Sequence, residues 1–263
     1  MSEYAALLDA LMAEQQRISC DRNHRYREGG QYRPGVTTVC KAMDAPRLDE
    51  WKVRVQVEGT ARVAHGNPPV FGENEENYVR RLVKLSAADF EHQRIADAAA
   101  DLGNQVHGLV EHAIKTMLGQ EVDVPVASDE AHFVFAGWPE WALEVGFAPL
   151  CTEARVINRE AGYCGTFDAL AVVNGRLIVV DWKPKDTIYP ERRLQLTAYA
   201  RALQSMGWPD MDRAVVALPR DGGSIRLVPL DDDPADTFKA FEACLTLYRW
   251  QAAMRNGAKK EAA

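Results

Sequence analysis

Two apolar segments joined by Asn174-Gly175 constrain the fold of this chain more than any other feature. The stretch 165–183 is rich in Val, Leu, Ile and Ala on both sides of that dipeptide. Asn-Gly between two such runs is typical of a type I′ hairpin turn. Asp168 lies near the start of the first segment, and Asp181 and Lys183 end the second. The sequence therefore predicts a β-hairpin that carries charged groups at its open end.

Strand alternation predicts which way these charged groups point. Side chains change face at every residue of a strand, so Asp181 and Lys183 project from the same face, and the hairpin brings Asp168 beside them. Two carboxylates in an apolar setting repel each other, and a divalent cation such as Mg²⁺ or Mn²⁺ relieves that repulsion. The same residues also fit an ordinary hairpin with charged strand ends, and the hairpin alone does not decide between the two.

A helix upstream of the hairpin carries a histidine on its apolar face. His107, Val110, Glu111 and Ile114 share one stripe at helical spacing. A histidine in such a stripe is either a hydrogen-bonded core residue or a ligand. Both interpretations stay open for His107.

A second helix follows the hairpin. Pro190 suits its first turn and Gly207 lies beyond its end. Gln195 and Tyr199 are one turn apart and therefore share a face. The alternatives for this pair are a functional role or, more simply, a half-buried core tyrosine and a solvated glutamine.

Five short motifs follow one another along residues 100–220. They are Gly-x-x-x-His on a helix, a glutamate in a strand, Gly-x-x-Asp, Asp-x-Lys and Gln-x-x-x-Tyr. Their order resembles that of the RecB-type branch of the PD-(D/E)XK nuclease superfamily, which includes phage-type exonucleases. Five motifs in one order are more specific than any of them alone. The matching positions are Gly103 to His107, Glu153, Gly165 to Asp168, Asp181 to Lys183, and Gln195 to Tyr199.

The resemblance implies a metal centre. Asp168 and Asp181 would be carboxylate ligands, His107 a further ligand, and the main-chain carbonyl of Trp182 would face the metal. Lys183 would be the catalytic lysine. The expected cofactor is Mg²⁺ or Mn²⁺.

The resemblance also implies roles around the metal. Glu153 would be a further catalytic carboxylate, although a strand glutamate beside Arg155 equally fits a surface ion pair. The residues expected to bind DNA or, for the first two, to brace the site are Gln195, Tyr199, Arg192 and Lys185.

The activity that the resemblance implies is metal-dependent hydrolysis of DNA, and an exonuclease that acts on double-stranded ends in phage-type recombination or repair is favoured. A single-strand annealing protein would be its natural partner, and the family also includes homo-oligomers. The alternatives are a noncatalytic DNA-binding or assembly subunit with the same fold and a structure-specific or restriction endonuclease. The chain has no Gly-x-x-x-x-Gly-Lys-Ser/Thr motif, so it does not encode ATP-driven unwinding.

Composition excludes several other classes of protein. The 263 residues are 47% hydrophobic and 26% charged, as in soluble globular proteins. The net charge of −7 is unlike that of a protein that coats nucleic acid, so DNA binding would depend on a local basic groove. The 5 cysteines are scattered without metal-binding spacing, which favours reduced thiols. With no basic n-region and no membrane-length apolar run, we expect a cytoplasmic protein, in a bacterial host cell if it is phage-encoded.

The order of predicted elements indicates an α/β fold. We expect a central mixed β-sheet flanked by helices, with an N-terminal helical extension. Residues 1–99 would form that extension and one wall of a groove, and residues 100–263 would form the nuclease core. No linker-like change in composition divides the chain, so one compact domain is expected overall.

Overall fold

A computed structural model of the chain describes residues 2–21, 24–43, 46–88, 91–184 and 186–261. The chain forms two compact units. The first consists of Met1–Met43 and Gln105–Ala263, and the second of Asp44–Asn104. The candidate site residues from His107 to Tyr199 belong to the first unit, and Lys185 lies outside the described residues. The groove wall expected from residues 1–99 stays a prediction.

The described residues contain nine α-helices and eight strands, besides a short 3-10 helix at Ser2–Tyr4. The helices are α1 (Ala5–Arg17), α2 (Val36–Cys40), α3 (Pro46–Gly66), α4 (Glu75–Ala88), α5 (Glu91–Met117), α6 (Asp129–Phe135), α7 (Trp138–Glu144), α8 (Pro190–Ser205) and α9 (Pro234–Glu261). The strands are β1 (Ile18–Cys20), β2 (Tyr26–Glu28), β3 (Gln31–Arg33), β4 (Ala148–Asn158), β5 (Tyr163–Val173), β6 (Arg176–Lys183), β7 (Asp212–Ala217) and β8 (Arg226–Pro229).

The first unit is built around a mixed five-stranded sheet. Its strand order is β4-β5-β6-β7-β8. The β6–β7 pair is parallel and the other neighbouring pairs are antiparallel. The α/β class with a central mixed sheet and flanking helices is therefore confirmed. A small antiparallel sheet, β1-β2-β3, accompanies it.

The predicted hairpin forms at the predicted turn. Val173 pairs with Arg176, and the two residues between them have positive φ angles, 51° at Asn174 and 77° at Gly175. A type I′ turn requires positive φ at both central residues, and asparagine and glycine adopt it at the lowest cost. The turn fixes the register of β5 against β6, and that register determines which side chains meet at the open end.

The outer edge of the sheet at β4 is closed by a side chain. The Gln15 amide of α1 donates to Arg155 O at 2.9 Å and accepts from Arg155 N at 2.8 Å, as a neighbouring strand would. An edge strand with unpaired main-chain groups is a template for aggregation. Gln15 therefore satisfies the main-chain groups of Arg155 on the outer edge of β4 and anchors α1 to the sheet.

Two helices have a clear local reason for their bounds. Helix α6 begins after Ser128, whose side chain caps it by accepting from Ala131 N at 3.2 Å. Helix α9 continues to Glu261, and the Ala- and Lys-rich composition of its end favours helix. No helix in the described part of the chain is long and apolar enough to cross a bilayer.

Candidate metal centre

The site lies where β5 and β6 separate. Their pairing runs from Val173–Arg176 to Ala169–Val180, and Asp168 is the next residue of β5. Its Oδ2 accepts a hydrogen bond from Trp182 N at 2.8 Å, so the carboxylate takes the place of a ladder partner. Its main-chain oxygen accepts from Thr152 Oγ1 at 2.7 Å. These contacts fix Asp168 at the open end of the hairpin.

Asp181 and Lys183 lie on one face of β6, as alternation predicts. Lys183 Nζ is 2.7 Å from Asp181 Oδ2, and the aspartate is only 1% exposed. The ammonium forms an ion pair with Asp181 Oδ2 but no well-aligned hydrogen bond. This buried oxygen therefore remains available as an acceptor. Burial acts to raise the pKa of Asp181, but Lys183 and Arg192 outweigh it and lower the pKa. The Asp181 side chain is therefore held as a carboxylate.

His107 reaches the site from α5. Its Nδ1 lies 3.6 Å from Asp168 Oδ2, and its Nε2 lies 3.0 Å from Trp182 O. Lys183 Nζ donates to the same carbonyl at 3.0 Å. The imidazole side chain is 31% exposed, so it is a partly accessible group with both nitrogens near oxygen atoms of the hairpin.

Glu153 enters the site from β4 in an unusual backbone conformation. It lies between the pairs Thr152–Ala169 and Ala154–Phe167 and has a φ of 50°. A non-glycine residue with positive φ is costly and persists where the surroundings hold it. Although the residue is exposed as a whole, protein atoms crowd its carboxyl group. Shielding of this carboxyl group from water, reinforced by the charge of Asp168, raises the pKa of Glu153 to about 8.

The alternative ion pair of Glu153 with Arg155 is not the arrangement found. Arg155 instead directs its guanidinium to Gln15, with Nη2 2.6 Å from Gln15 O and Nε 3.2 Å from Gln15 Oε1. Glu153 is therefore grouped with His107 and Asp168.

The donor set fits a divalent cation. Ligand atoms of His107, Glu153 and Asp168 all lie within 4.8 Å of one another. Since each Mg²⁺ bond is about 2.1 Å, two ligands lie about 3 Å apart when adjacent and about 4 Å apart when opposite, so the three groups would draw closer together around a common ion. Burial and the neighbouring charge of Asp181 raise the pKa of Asp168. The two carboxylates therefore repel each other, and a bound cation would relieve that repulsion. One imidazole nitrogen among carboxylates suits Mn²⁺, and the oxygens suit Mg²⁺ as well.

This donor set differs in part from the expected one. Asp181 and the Trp182 carbonyl were expected beside His107 and Asp168, whereas the described ligand group contains Glu153. Lys183 explains the difference, because its ammonium contacts both Asp181 Oδ2 and Trp182 O. A shift of this flexible side chain would free Asp181 Oδ2, while Trp182 O would keep His107 Nε2 at 3.0 Å. The role of both oxygens as ligands stays a prediction.

The Gln195–Tyr199 pair lies inside the first unit. Tyr199 is 2% exposed and Gln195 8% exposed, and Gln195 Nε2 donates to the Tyr199 hydroxyl at 3.1 Å. Arg192 Nη1 donates to Gln195 Oε1 at 2.8 Å. Of the roles expected for the pair, bracing is the one that burial favours. Contact of these residues and of Lys185 with DNA stays a prediction.

Tyr199 explains the glycine of the Gly-x-x-Asp motif. A Cβ atom on Gly165 would lie 2.5 Å from Tyr199 Cε1 and 3.0 Å from Val36 Cγ2. The buried ring therefore packs directly on the β5 backbone three residues before Asp168. Two motifs that are distant in sequence form one packing contact.

We expect Gly165→Ala to destabilise the first unit by about 1–3 kcal/mol, the usual cost of overpacking a core. The ring cannot move away cheaply because it is buried and its hydroxyl is held by Gln195. Urea unfolding followed by tryptophan fluorescence measures the change. Gly137→Ala is the matched control in the same unit, since a Cβ there would lie at an ordinary contact distance, 3.7 Å from Ile225 Cδ1. An unchanged midpoint for Gly165→Ala would contradict this packing.

Sequence reasoning did not assign a role to Glu111 and Lys115. Glu111 lies one helical turn after His107 and pairs with Lys115 at 2.6 Å. The charge of Glu111 adds to that of Asp168 in raising the pKa of Glu153, so Glu111 faces the same site. Its four-residue spacing from His107 was the available signal.

No model of a known protein family matches the sequence, and no curated protein matches it. Among solved structures, the chain is similar to an alkaline exonuclease, LHK-Exo, from Laribacter hongkongensis. The identity is 15%, the TM-score 0.34, and the match covers 59% of this chain and 84% of that one.

Two further solved structures are similar to a comparable degree. LHK-Exo in complex with dAMP matches with 16% identity and a TM-score of 0.33, over 63% of this chain and 97% of that one. The protein SSO0001 matches with 13% identity and a TM-score of 0.33, over 92% of this chain and 84% of that one. Similarities this distant do not establish an activity, which leaves the geometry of the site as the basis for a functional conclusion.

Proposed function

We propose that the protein is a metal-dependent DNA nuclease that hydrolyses phosphodiester bonds. The observation that carries the proposal is the convergence of His107, Glu153 and Asp168 within 4.8 Å, beside the Asp181–Lys183 pair. These groups come from α5, β4, β5 and β6, so the fold assembles them from four elements. An ordinary hairpin with charged ends would not need a histidine and a strained glutamate at the same place.

The proposed cofactor is Mg²⁺ or Mn²⁺. His107, Glu153 and Asp168 would hold it, with Asp181 and the Trp182 carbonyl as further oxygen ligands once Lys183 moves. When bound, such a cation lowers the pKa of water and neutralises charge on phosphate oxygens.

The chain's own residues supply the remaining requirements of the reaction. Hydrolysis forms a bond from a water oxygen to phosphorus and breaks the bond from phosphorus to the leaving sugar oxygen, which takes up a proton. Lys183 brings a positive charge, 20% exposed, to the place where an incoming phosphate would gain negative charge. Charge that the protein itself supplies at such a place stabilises a transition state more than water does. Asp181 holds Lys183 beside the site until the metal binds, and the ammonium would then be free to contact the phosphate.

We further propose an exonuclease that acts on double-stranded DNA ends, in phage-type recombination or repair. A single-strand annealing protein is the partner that such an activity would serve, in the cytoplasm of a bacterial host. These finer points depend on the resemblance of the five ordered motifs and go beyond the geometry of the site.

A comparison of linear and covalently closed circular double-stranded DNA tests the proposal, with Mg²⁺ or Mn²⁺ and with a chelator as the blank. We expect metal-dependent loss of the linear DNA while the circle stays intact. Cleavage of the circle would identify an endonuclease. Binding without cleavage of either DNA, in both metals, would leave a noncatalytic DNA-binding subunit and defeat the proposal.

We expect His107→Ala to weaken Mn²⁺ binding by about tenfold or more, because a protein ligand is lost. Titration calorimetry on the DNA-free protein measures the affinity without any need for activity. His112→Ala is the control, since it removes a histidine from the same helix but outside the ligand group. Equal Mn²⁺ affinities in the two variants would show that His107 is a structural residue and not a metal ligand.

A further inference from the structure

A second lysine, Lys115, lies beside the ligand group on helix α5. His107, Glu111 and Lys115 follow one another at intervals of four residues, so they share one side of the helix. Lys115 Nζ lies 2.6 Å from Glu111 Oε1, and both side chains are 31% exposed. Long side chains on a helix lean back towards its N-terminus. The ammonium of Lys115 is therefore carried back from its own turn towards that of His107.

The Glu111–Lys115 pair differs from an ordinary ion pair on the surface of a helix. Lys239 and Asp236 of α9 form such an ordinary pair, with side chains that are 73% and 72% exposed. Exposed pairs of this kind contribute little to stability. Glu111 and Lys115 are covered over most of their surface, and a lysine that is held in place gives up much of its rotamer freedom. Stability of the helix alone therefore does not account for this pair.

Glu111 adds a negative charge at a place where the fold already gathers carboxyl groups. Burial is the main cause of the raised pKa of Glu153, the charges of Asp168 and Glu111 add to it, and the charge of Lys115 opposes it. Both charges of the pair therefore lie close enough to Glu153 to act on it. Like charges placed together are unfavourable, and departures of this kind from local rules are typical of functional sites.

The charge balance of the site indicates what Lys115 is for. Among the described residues, the site contains four carboxyl groups, which belong to Glu111, Glu153, Asp168 and Asp181. When all four are ionised, one divalent cation and Lys183 offset three of their negative charges. Lys115 offsets the fourth, and Arg192, which together with Lys183 lowers the pKa of Asp181, adds a further positive charge nearby. Lys115 therefore removes the negative charge that would repel the phosphates of a DNA strand.

We propose that Lys115, held in place by Glu111, binds the phosphate next to the scissile one on the same DNA strand. The contact belongs to the same site and so rests on the proposed nuclease function. Successive phosphates of a strand are several ångströms apart, and Glu111 lies about 6 Å beyond His107 along the axis of α5. An ammonium at that level reaches the neighbouring phosphate, while Lys183 serves the phosphate at the metal. Because an ammonium has three N–H donors, Lys115 can keep Glu111 and bind a phosphate oxygen at the same time.

The salt dependence of DNA binding tests this contact. Each contact between a lysine and a phosphate adds about 0.9 to the slope of log affinity against log salt concentration for duplex DNA. We expect Lys115→Met to reduce the slope by about 0.9 and to weaken binding about fivefold to tenfold at about 0.1 M KCl. Lys115→Arg should keep most of both. Fluorescence anisotropy of a labelled linear duplex measures the affinity, with Ca²⁺ in place of Mg²⁺ to slow cleavage.

Two control variants separate a direct contact from a general effect of charge. Lys239→Met removes the same charge from an exposed position on α9 and should leave the slope unchanged. The double variant Glu111→Gln/Lys115→Met keeps the net charge of the wild type, yet its slope should fall as in Lys115→Met because the contact is lost. The Mn²⁺ affinity of Lys115→Met, measured by calorimetry, should not fall, which shows that the metal centre is intact.

DNA that carries one uncharged methylphosphonate locates the contact on the strand. At the phosphate next to the scissile one, this change should weaken wild-type binding about fivefold to tenfold and leave Lys115→Met binding unchanged, since the variant has already lost the contact. Equal losses in both proteins at every position would overturn the proposal, as would an unchanged salt slope in Lys115→Met. In either case the wild type would still bind and cleave DNA, so the nuclease proposal would stand. A wild type that neither binds nor cleaves the duplex would defeat both.

Discussion

Asp181→Asn is expected to lower metal-dependent DNA cleavage by at least about 10²–10³-fold, the scale on which loss of one preorganised electrostatic group acts. The substitution keeps the size of the side chain but removes the charge that holds Lys183 Nζ at 2.7 Å. An amide also binds a divalent cation less well than a carboxylate does. Initial rates on linear duplex DNA, at saturating Mg²⁺ and Mn²⁺, measure the loss.

Lys183→Met is expected to lower metal-dependent DNA cleavage by a similar factor, because it removes a positive charge from the site instead of a negative one. The methionine keeps most of the length of the lysine and removes the positive charge beside the phosphate. It also leaves Asp181, 1% exposed, without its counter-ion, and an unpaired buried carboxylate destabilises the fold. Thermal unfolding of each variant separates a loss of catalysis from a loss of structure. Added metal should restore part of the stability of Lys183→Met, because a cation can take the place of the ammonium.

Controls for these two variants come from charged groups outside the site. Asp212→Asn changes a half-buried aspartate at the start of β7, which pairs with Arg176. Lys239→Met changes a lysine that is 73% exposed on α9. Both should retain full activity. If Asp181→Asn or Lys183→Met remains folded and cleaves DNA at the wild-type rate, the assignment of the Asp-x-Lys motif is wrong.

Asp232→Ala is expected to cost about 3–5 kcal/mol of unfolding free energy, because it removes the partner of a buried guanidinium. Arg213 is 6% exposed and donates to Asp232 Oδ2 at 3.0 Å and to Asp232 O at 2.8 Å. Its guanidinium also donates to the Thr197 hydroxyl of α8. Arg193 and Thr237 also donate to the Asp232 carboxylate. This one aspartate therefore joins β7, α8 and the start of α9.

The neighbouring Asp231 supplies the control for Asp232→Ala. Asp231 pairs with Arg193 but its side chain is 85% exposed, so Asp231→Ala should cost less than about 1 kcal/mol. Denaturant unfolding of both variants measures the difference. Similar small losses of unfolding free energy in the two variants would show that the Arg213 guanidinium does not depend on the Asp232 carboxylate for its hydrogen bonds.

Stability should depend on pH through the same network. Burial alone would raise the pKa of Asp232, but hydrogen bonds from Thr237, Arg213 and Arg193 outweigh it and hold the pKa at about 2, below its ordinary 3.8. A carboxyl group with a lowered pKa stabilises the fold fully above its ordinary pKa. That stabilisation is lost as the pH falls towards 2. The wild type should therefore lose part of its advantage over Asp232→Ala between about pH 4 and pH 2.

Several features of the fold could be read from local sequence. Asn174-Gly175 predicted the hairpin because few other dipeptides adopt two positive φ angles cheaply. Alternation then placed Asp181 and Lys183 on one face, where they form an ion pair. Pro190 marked the start of α8. These predictions succeeded because each depends on neighbouring residues alone.

Other features depend on contacts between distant residues and could not be read in this way. Nothing near Glu153 in the sequence indicates a φ of 50° or a position within 4.8 Å of His107. Nothing in the local sequence requires a glycine at position 165, because the requirement comes from Tyr199 of α8, whose ring packs on it. The apolar residues of α9 could be found as a pattern, but only the packing shows that Phe241 is buried while Trp250 is exposed.

The sequence by itself determined the hairpin, its register and the chemical groups at its open end, since turn conformation and side-chain alternation are local properties of the chain. Only the tertiary structure decided which of these groups meet. Separation of β5 from β6 turns Asp168 towards the Trp182 amide, and α5 brings His107 to the same point. Distances between side chains of different elements follow from packing, which depends on the whole core at once. The motif therefore specified the residue types, and packing brought Glu153 to His107 and Asp168 and left Asp181 with Lys183.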